Sequence, residues 1–426
     1  MHRFVFKISW FITFGLPFLL IVEAKLLAAE LRVVTYNTTS SVRPGLAIVL
    51  EAIGEENING IARPIDVLAL QEQSSSASVT AEIVDLLNDI YGAGIYDRAT
   101  IDGGSSGGGR PGLVFNTQTV ELLDELAIGT VSTSAQARQI MRYKIRPQGY
   151  PNGESDFYLY NAHAKAGTGS SNQTRRLVES VALRHDLDQL GAGVAAIVAG
   201  DFNTRSSSEP GYQELLRPGV GQLFDPLGIP ASWHCNNASS CAPEIRKVHT
   251  QSPIAIGTNG LIGGGIDDRF DFQLVTNTLL DDEGLLFIDG SYHTFGNNGT
   301  HDCCNHDIST GAGAAPNILA ALETASDHLP VVADYRLPPL VDNLDGDFNL
   351  DGFVTASDYT VWQDGLGMNF QHADYHVWQD NFNASSPTAF TVVPEPTGWF
   401  ISITCGFSLL AWRYSTLQTR SVPTRS

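Results

Sequence analysis

Six stretches of this sequence carry, at one end of an apolar run, a group that can hold a metal ion or move a proton. Asn37 closes Val-Thr-Tyr-Asn, Glu72 closes Leu-Ala-Leu-Gln-Glu, and His163 follows Tyr-Asn-Ala. Asp201 and Asn203 follow Val-Ala-Gly in Gly-Asp-Phe-Asn, Asp271 stands in Arg-Phe-Asp-Phe-Gln-Leu-Val, and Asp327-His328 precede Leu-Pro-Val-Val. A buried strand followed at once by a carboxylate, amide or imidazole puts that group at a sheet rim. Carboxylates gathered at one rim repel each other, and a hard divalent cation relieves the repulsion. An Asp–His pair supplies a base near neutral pH. Each signal alone has a bland reading, since Asp-Phe-Asn is a turn more often than a site. Six of them, each at one end of a strand-like run, point to metal-assisted hydrolysis.

The elements that must position these groups are legible as apolar runs of five to eight residues. They are Leu31–Tyr36, Asp66–Gln71, Gly112–Asn116, Gln139–Ile145, Phe157–Ala162, Ala195–Ala199, Phe270–Thr276, Leu285–Ile288 and Leu329–Tyr335. Helical periodicity appears over Val79–Ile90 and Thr174–Leu190. These are too few helices for a strand–helix–strand repeat, so the expected domain is a mixed α/β, largely antiparallel sandwich with helices outside. A chain of 426 residues with 43% hydrophobic and 17% charged residues buries a real core and exceeds one typical domain. Its formal charge of −21 excludes a basic surface holding DNA by counterion release as the main source of affinity. The densest basic stretch, Arg138, Arg142, Lys144, Arg146, Lys165, Arg175 and Arg176, is open to a phosphate-contact role, with a solvated face the plainer reading.

The motif series, in this order, resembles the endonuclease/exonuclease/phosphatase superfamily, the fold of deoxyribonuclease I-like nucleases, inositol polyphosphate phosphatases and bacterial sphingomyelinases. Gly-Asp-Phe-Asn and Ser-Asp-His-x-Pro-Val are its most specific parts, and the resemblance spans Leu31 to Arg336. It implies a four-layered α/β sandwich and a divalent metal, Mg2+ or Mn2+. It also implies roles: Glu72 binds the metal, Asn37 holds its water shell and Asp327 assists at a second metal position. Asp201 and Asn203 orient and activate the attacking water. Asp271 fixes the tautomer of His328, which acts as base or as polariser of the phosphoryl oxygen, and His163 serves the leaving oxygen. The implied activity is hydrolysis of phosphodiester bonds, nucleic acid foremost. A phosphatase or sphingomyelinase-like phosphodiesterase is the alternative, and a tethered, non-catalytic binding module of the same fold is a second. The loop Thr38-Thr39-Ser40-Ser41 and the region Trp233–Asn305 depart from the family pattern and leave the substrate open.

The catalytic domain is expected over 30–337. Beyond Pro338-Pro339, residues 340–392 carry eight Asp and no Glu, Lys or Arg. Asp347, Asn349, Asp351, Phe353, Thr355 and Asp358 fall at the ligand spacing of a calcium loop, with Gly352 at the turn. Ser357-Asp-Tyr-Thr-Val-Trp-Gln-Asp364 recurs as Ala373-Asp-Tyr-His-Val-Trp-Gln-Asp380. Residues 338–392 therefore resemble a dockerin, a small helical EF-hand-like module binding Ca2+ in one loop, which raises a cohesin-like partner. Val354, Tyr359, Val361, Trp362, Tyr375, Val377 and Trp378 are the expected core of its two helices.

Residues 1–29 read as a secretory signal peptide, with Arg3 and Lys7 before an apolar run from Ile8 to Val22 and cleavage after Ala24 or Ala29. Residues 393–426 resemble a PEP-CTERM sorting signal: Val-Pro-Glu-Pro-Thr, an apolar stretch to Trp412, then Arg413. That resemblance implies exosortase-type processing and membrane association through the C-terminal segment; a plain membrane anchor predicts the same compartment. The chain is thus expected to be exported, to the periplasm, cell surface or extracellular space. Cys235, Cys241, Cys303 and Cys304 favour disulfides in such a compartment, with three pairings open.

Overall fold

The computed structural model describes residues 30–150, 153, 155–237, 239, 241–281, 284–338, 344–349 and 352–385. The expected signal peptide, residues 1–29, and the sorting segment, residues 393–426, lie outside the described residues. Among the described residues no helix is long and apolar enough to cross a membrane. The chain divides into two units, ending and beginning at Leu340 and Val341.

The first unit runs β1 (Glu30–Asn37), α1 (Leu46–Glu55), β2 (Val67–Gln73), α2 (Val79–Tyr91), β3 (Tyr96–Arg98), β4 (Arg110–Asn116), β5 (Val120–Ile128), β6 (Ile140–Pro147) and β7 (Phe157–His163). It continues with α3 (Ser170–Leu190), β8 (Ala196–Asp201), α4 (Pro210–Leu216), β9 (Leu223–Phe224), α5 (Pro243–Arg246) and β10 (Asp271–Thr276). The last elements are β11 (Leu286–Phe287), β12 (His293–Thr294), α6 (Pro316–Ala325) and β13 (Val331–Arg336). One sheet has the order β11-β13-β1-β2-β4-β3, with β12 also on β13, and the other β5-β6-β7-β8-β10-β9. β1–β2 and β7–β8 are parallel; the other pairs are antiparallel.

Period-two alternation explains the layering. In β1, Leu31 and Val33 join the core between the sheets, while Val34 and Tyr36 join the core beneath α1, α2 and α6. In β8, Ile197 and Ala199 face the inter-sheet core, while Ala196 and Val198 pack with α3 and α4 residues. Helices, sheet, sheet, helices: the four-layered α/β sandwich expected from the sequence is the arrangement found. All nine expected strands are present, and both expected helices.

Asp66 precedes β2, and Arg32 answers a second carboxylate across β1 and β13. The Arg32 guanidinium donates to both oxygens of Asp334, at 2.8 and 2.9 Å, and to the Ile53 carbonyl at 2.7 Å. Both partners are fully covered, at 0% and 1% exposure. The four cysteines pair locally, Cys235 with Cys241 and Cys303 with Cys304.

The second unit contains α7 (Ala356–Gly365) and α8 (His372–Asn381). Asp358 caps α7: its Oδ2 accepts the Thr355 amide at 2.7 Å, and its Oδ1 accepts the Phe348 and Asn349 amides at 2.9 and 3.0 Å. Asp347 accepts the Gly352 amide at 2.8 Å. Asp351 lies outside the described residues. Val354 and Trp362 are buried, and Tyr359, Trp362, Tyr375 and Trp378 form one aromatic cluster. Val377, expected in that core, is 36% exposed, because it lies on the opposite side of α8 from this cluster.

Removing one member of a buried ion pair strands the other in a dry interior at a cost of about 3–5 kcal/mol. Arg32→Ala is expected to lower the urea midpoint accordingly. Arg32→Met with Asp334→Leu should recover the part due to the stranded charge, but not the part due to the Ile53, Glu56, Ile61 and Arg63 carbonyls that the guanidinium also satisfies.

Candidate active site

Strand register brings three of the sequence-predicted residues side by side. His163 pairs with Asp201 across β7 and β8, and Asp271 pairs with Asp201 across β10 and β8. Gly200, just before Asp201, permits this approach: at φ +146°, a Cβ there would lie 2.0 Å from the Ala162 carbonyl oxygen. From the other sheet, Asn37 ends β1 and its Nδ2 donates to Asp201 Oδ2 at 3.2 Å. The sheets are tied just behind this point, where Gln71 Nε2 donates to Asn161 Oδ1 at 2.8 Å.

Glu72 lies on β2 at a register irregularity, with φ +64°. Gly109 makes this backbone fold possible, since any Cβ there would meet Glu72 backbone atoms at 2.2 Å. The bulge turns Glu72 out of the pleat, leaving its side chain 34% exposed, with Oε1 3.9 Å from His163 Nε2. Asn203, at φ +52°, donates its amide to Asp201 Oδ1 at 3.0 Å and its Nδ2 to the Ala164 carbonyl at 3.3 Å.

His328 Nδ1 lies 2.7 Å from Asp271 Oδ2, and His328 Nε2 lies 3.9 Å from Asp201 Oδ2. Asp271 is itself fixed by Thr250, whose hydroxyl accepts the Asp271 amide at 3.1 Å. Asp327 stands apart. Its carboxylate accepts the Ile262 amide at 2.9 Å, and no hydrogen bond or ion pair joins it to Asn37, Glu72 or Asp201.

Electrostatics follow from this crowding. Burial pushes the Asp201 carboxyl up, and Asp271 and Glu72 add to the push although His328 opposes it, to about 7. Burial disfavours charge on His328, but Asp271 and Asp201 outweigh it and raise the imidazole to about 10. His163 is held well below its ordinary value by burial, with Arg138 and His328 contributing. A protonated His328 has N–H groups on both ring nitrogens. Gln251, whose side-chain amide lies 2.8 Å from His328 Nε2, then presents its oxygen there rather than its nitrogen.

The residues fit a divalent cation. Asp201 and Asp271 offer carboxylate oxygens within 4.8 Å of one another, and His328, whose ring nitrogen lies within the same distance, offers a ligand only in its neutral form. Asp271 Oδ1 and His163 Nδ1 are buried without a hydrogen-bond partner. Glu72 presents an accessible carboxylate beside them.

Three neighbours escaped sequence reasoning. Gln251 lies in a stretch with no recognisable pattern, and Thr250 beside it likewise. Arg138 was visible only as part of a basic stretch, yet it is buried and donates to the Ala164 carbonyl at 3.0 Å behind His163. The rest of that stretch disperses onto internal partners: Arg142 on Asp186 at 2.9 Å, Arg146 and Lys144 on Asp156 at 2.6 and 3.0 Å, and Arg176 on Glu209 at 2.7 Å. The Lys165 and Arg175 side chains meet only backbone carbonyls, so of this remainder these two alone have no carboxylate partner among the described residues.

No family model matches the chain, and no curated protein matches it. Solved structures similar to it include the human nocturnin catalytic domain with bound sulfate, at 16% identity and a TM-score of 0.44, covering 72% of this chain and 95% of that one. An endonuclease/exonuclease/phosphatase family protein from Bacteroides thetaiotaomicron is similar at 13% identity and 0.45, covering 73% and 96%. A mannosyl-6-phosphatase from the same organism is similar at 14% identity and 0.43, covering 72% and 99%.

A carboxyl whose value is raised on folding binds protons more tightly in the folded chain. Its folding contribution therefore falls as pH rises from its ordinary value of 3.8 to about 7. In the presence of chelator, Asp201→Asn is expected to gain thermal stability relative to wild type across that window. A midpoint difference that stays flat between these pH values would show that Asp201 is not the stressed group.

Proposed function

We propose that the first unit is a divalent-metal-dependent phosphoesterase of the endonuclease/exonuclease/phosphatase type, hydrolysing phosphodiester bonds, with nucleic acid as its first substrate class. The observation that carries this reading is the register that sets His163, Asp201 and Asp271 side by side, with Asn37 reaching Asp201 from the facing sheet and His328 seated on Asp271.

Glu72, with Asn37 and the neighbouring carboxylates, would hold Mg2+ or Mn2+. When bound, the ion supplies charge neutralisation at the phosphoryl oxygens and a more acidic water. Asp201, held at Oδ1 by the Asn203 amide, is placed to accept a proton from the attacking water. His328 favours its protonated form, and its Nε2–H, held by Gln251 in the free site, is suited to polarise a phosphoryl oxygen that displaces the Gln251 amide, a role as polariser rather than base. His163, neutral and buried, is suited to hydrogen-bond the leaving oxygen. Phosphoryl hydrolysis relies on such positioning more than on covalent chemistry. Asp327, committed to the Ile262 amide, supports the loop beside the site, which leaves a second metal position resting on Asp201 and its neighbours.

Export of this enzyme rests on the signal-like residues 1–29 and the paired cysteines. We also propose that the second unit binds one Ca2+ as a dockerin-like module, through Asp347, Asn349, Asp351, Phe353, Thr355 and Asp358. In support, Asp347 receives the Gly352 amide across the turn, and Asp358 already closes the loop onto the first turn of α7.

Initial rates on DNA, RNA, sphingomyelin, inositol phosphates and bis-p-nitrophenyl phosphate, with Mg2+ or Mn2+, test the activity and its substrate class. No turnover of any of them would favour a binding module of this fold. Glu72→Gln is expected to demand roughly 10- to 100-fold more metal for half-maximal rate, at least the effect of losing an outer-shell group. Protons and metal compete for Asp201, so the acid limb of the pH–rate profile should move to lower pH as metal concentration rises. For the second unit, Ca2+ is expected to protect the chain from proteolysis between residues 344 and 385, and Asp358→Ala to abolish that protection.

A further inference from the structure

A second group of donors lies beyond Gln251. His234 Nδ1 is 2.9 Å from Asp268 Oδ1, and Arg205 reaches the other oxygen, Oδ2, at 3.2 Å. Asp267 is only 9% exposed, and among the described residues its carboxylate makes no hydrogen bond or ion pair, meeting the charges of His234 and Arg205 only at longer range. One ligand atom from each of His234, Asp267 and Asp268 lies within 4.8 Å of the others. Burial and the adjacent Asp268 hold the Asp267 carboxyl up, at about 7.

The backbone fixes this arrangement. The Asp267 carbonyl accepts the Cys235 amide at 2.9 Å, and the Asp267 amide donates to the Gln251 carbonyl at 3.0 Å. Two adjacent carboxylates are thus pinned facing one imidazole, and Arg205 hydrogen-bonds only one of them although its charge reaches both. A buried carboxylate without a partner costs free energy that a bound cation would offset. Mg2+ and Ca2+ favour all-oxygen shells, and soft ions favour sulfur; one imidazole with two carboxylates suits a borderline divalent ion.

We propose that His234, Asp267 and Asp268 form a binding site for a borderline divalent metal ion, such as Fe2+, Co2+ or Zn2+, separate from the cluster around Asp201, with Mn2+ serving only as its spectroscopic probe. The ion takes an imidazole nitrogen in place of the His234–Asp268 hydrogen bond and relieves the repulsion between Asp267 and Asp268. It also braces the segment that presents Gln251 to His328, since Gln251 and Asp268 are backbone partners at 3.2 Å.

Electron paramagnetic resonance of the full chain titrated with Mn2+, in millimolar Ca2+ to occupy the second unit, tests the site. Asp267→Asn and His234→Ala are each expected to lower the stoichiometry by one Mn2+ per chain, whether residue 72 is Glu or Gln. His234→Ala should also remove the nitrogen spin-echo modulation that persists in Glu72→Gln. Unchanged stoichiometry in either variant overturns the proposal, as does a loss that appears only when Glu72 is also replaced. His234 is 24% exposed at its side chain, and a His234→Ala chain that melts as wild type does decides the matter even if Asp267→Asn proves unstable.

Discussion

Asp201 sits where the two sheets meet, almost wholly covered. Asp271 and Glu72 press negative charge toward it, and the Asn37 amide and two imidazoles answer. That unrelieved repulsion is what the rest of the rim is arranged around. His328 is driven to hold its proton because two carboxylates face it, and His163 is kept neutral because the remaining space is dry and already cationic on the Arg138 side. A site under this stress is suited to a cation, and it costs the cation-free fold stability.

Such stress persists only where the frame is stiff. Three guanidiniums supply much of that stiffness. Arg32 on Asp334, Arg269 on Asp225 and Arg176 on Glu209 are all at most 5% exposed, and each ties chain segments distant in sequence. Arg269 grips both Asp225 oxygens at 2.8 and 3.1 Å while lying over the Trp233 ring, two residues before Asp271 begins β10. The strand that delivers the His328 partner is therefore anchored at its entrance. The Gln71–Asn161 bridge does the same between sheets.

Much of this was legible in the sequence because the strands are buried on both faces and read as apolar runs ending in a polar group. Helices α1 and α6 were harder. Their apolar stripes, Leu46-Val49-Leu50-Ile53 and Leu319-Leu322-Ala325, are short and follow Pro and Gly, which read as loop. Strand β5 escaped because it is a sheet edge, where Glu121, Asp124 and Glu125 break the apolar pattern. At the site, identity was legible and partnership was not. Asp327 and His328 are adjacent in sequence, yet His328 turns to Asp271 while Asp327 turns to a loop amide. Nothing local in the sequence distinguishes those two directions, and nothing marks Gln251 or Arg138 as neighbours of the imidazoles.

The cysteine pairings have a thermodynamic consequence. Cys235 and Cys241 are 6 positions apart, and Cys303 and Cys304 are neighbours. The entropy removed from an unfolded chain by a cross-link grows with the logarithm of the loop it closes, so bridges this short restrict few of the unfolded conformations. Sulfur atoms of Cys235, Cys241 and Cys304 nevertheless gather within 4.8 Å of one another. The bridges act as local clasps on two touching loops, one of which begins at His234. Reduction would slacken that corner of the molecule while β7, β8 and β10 kept their register through their own backbone ladder.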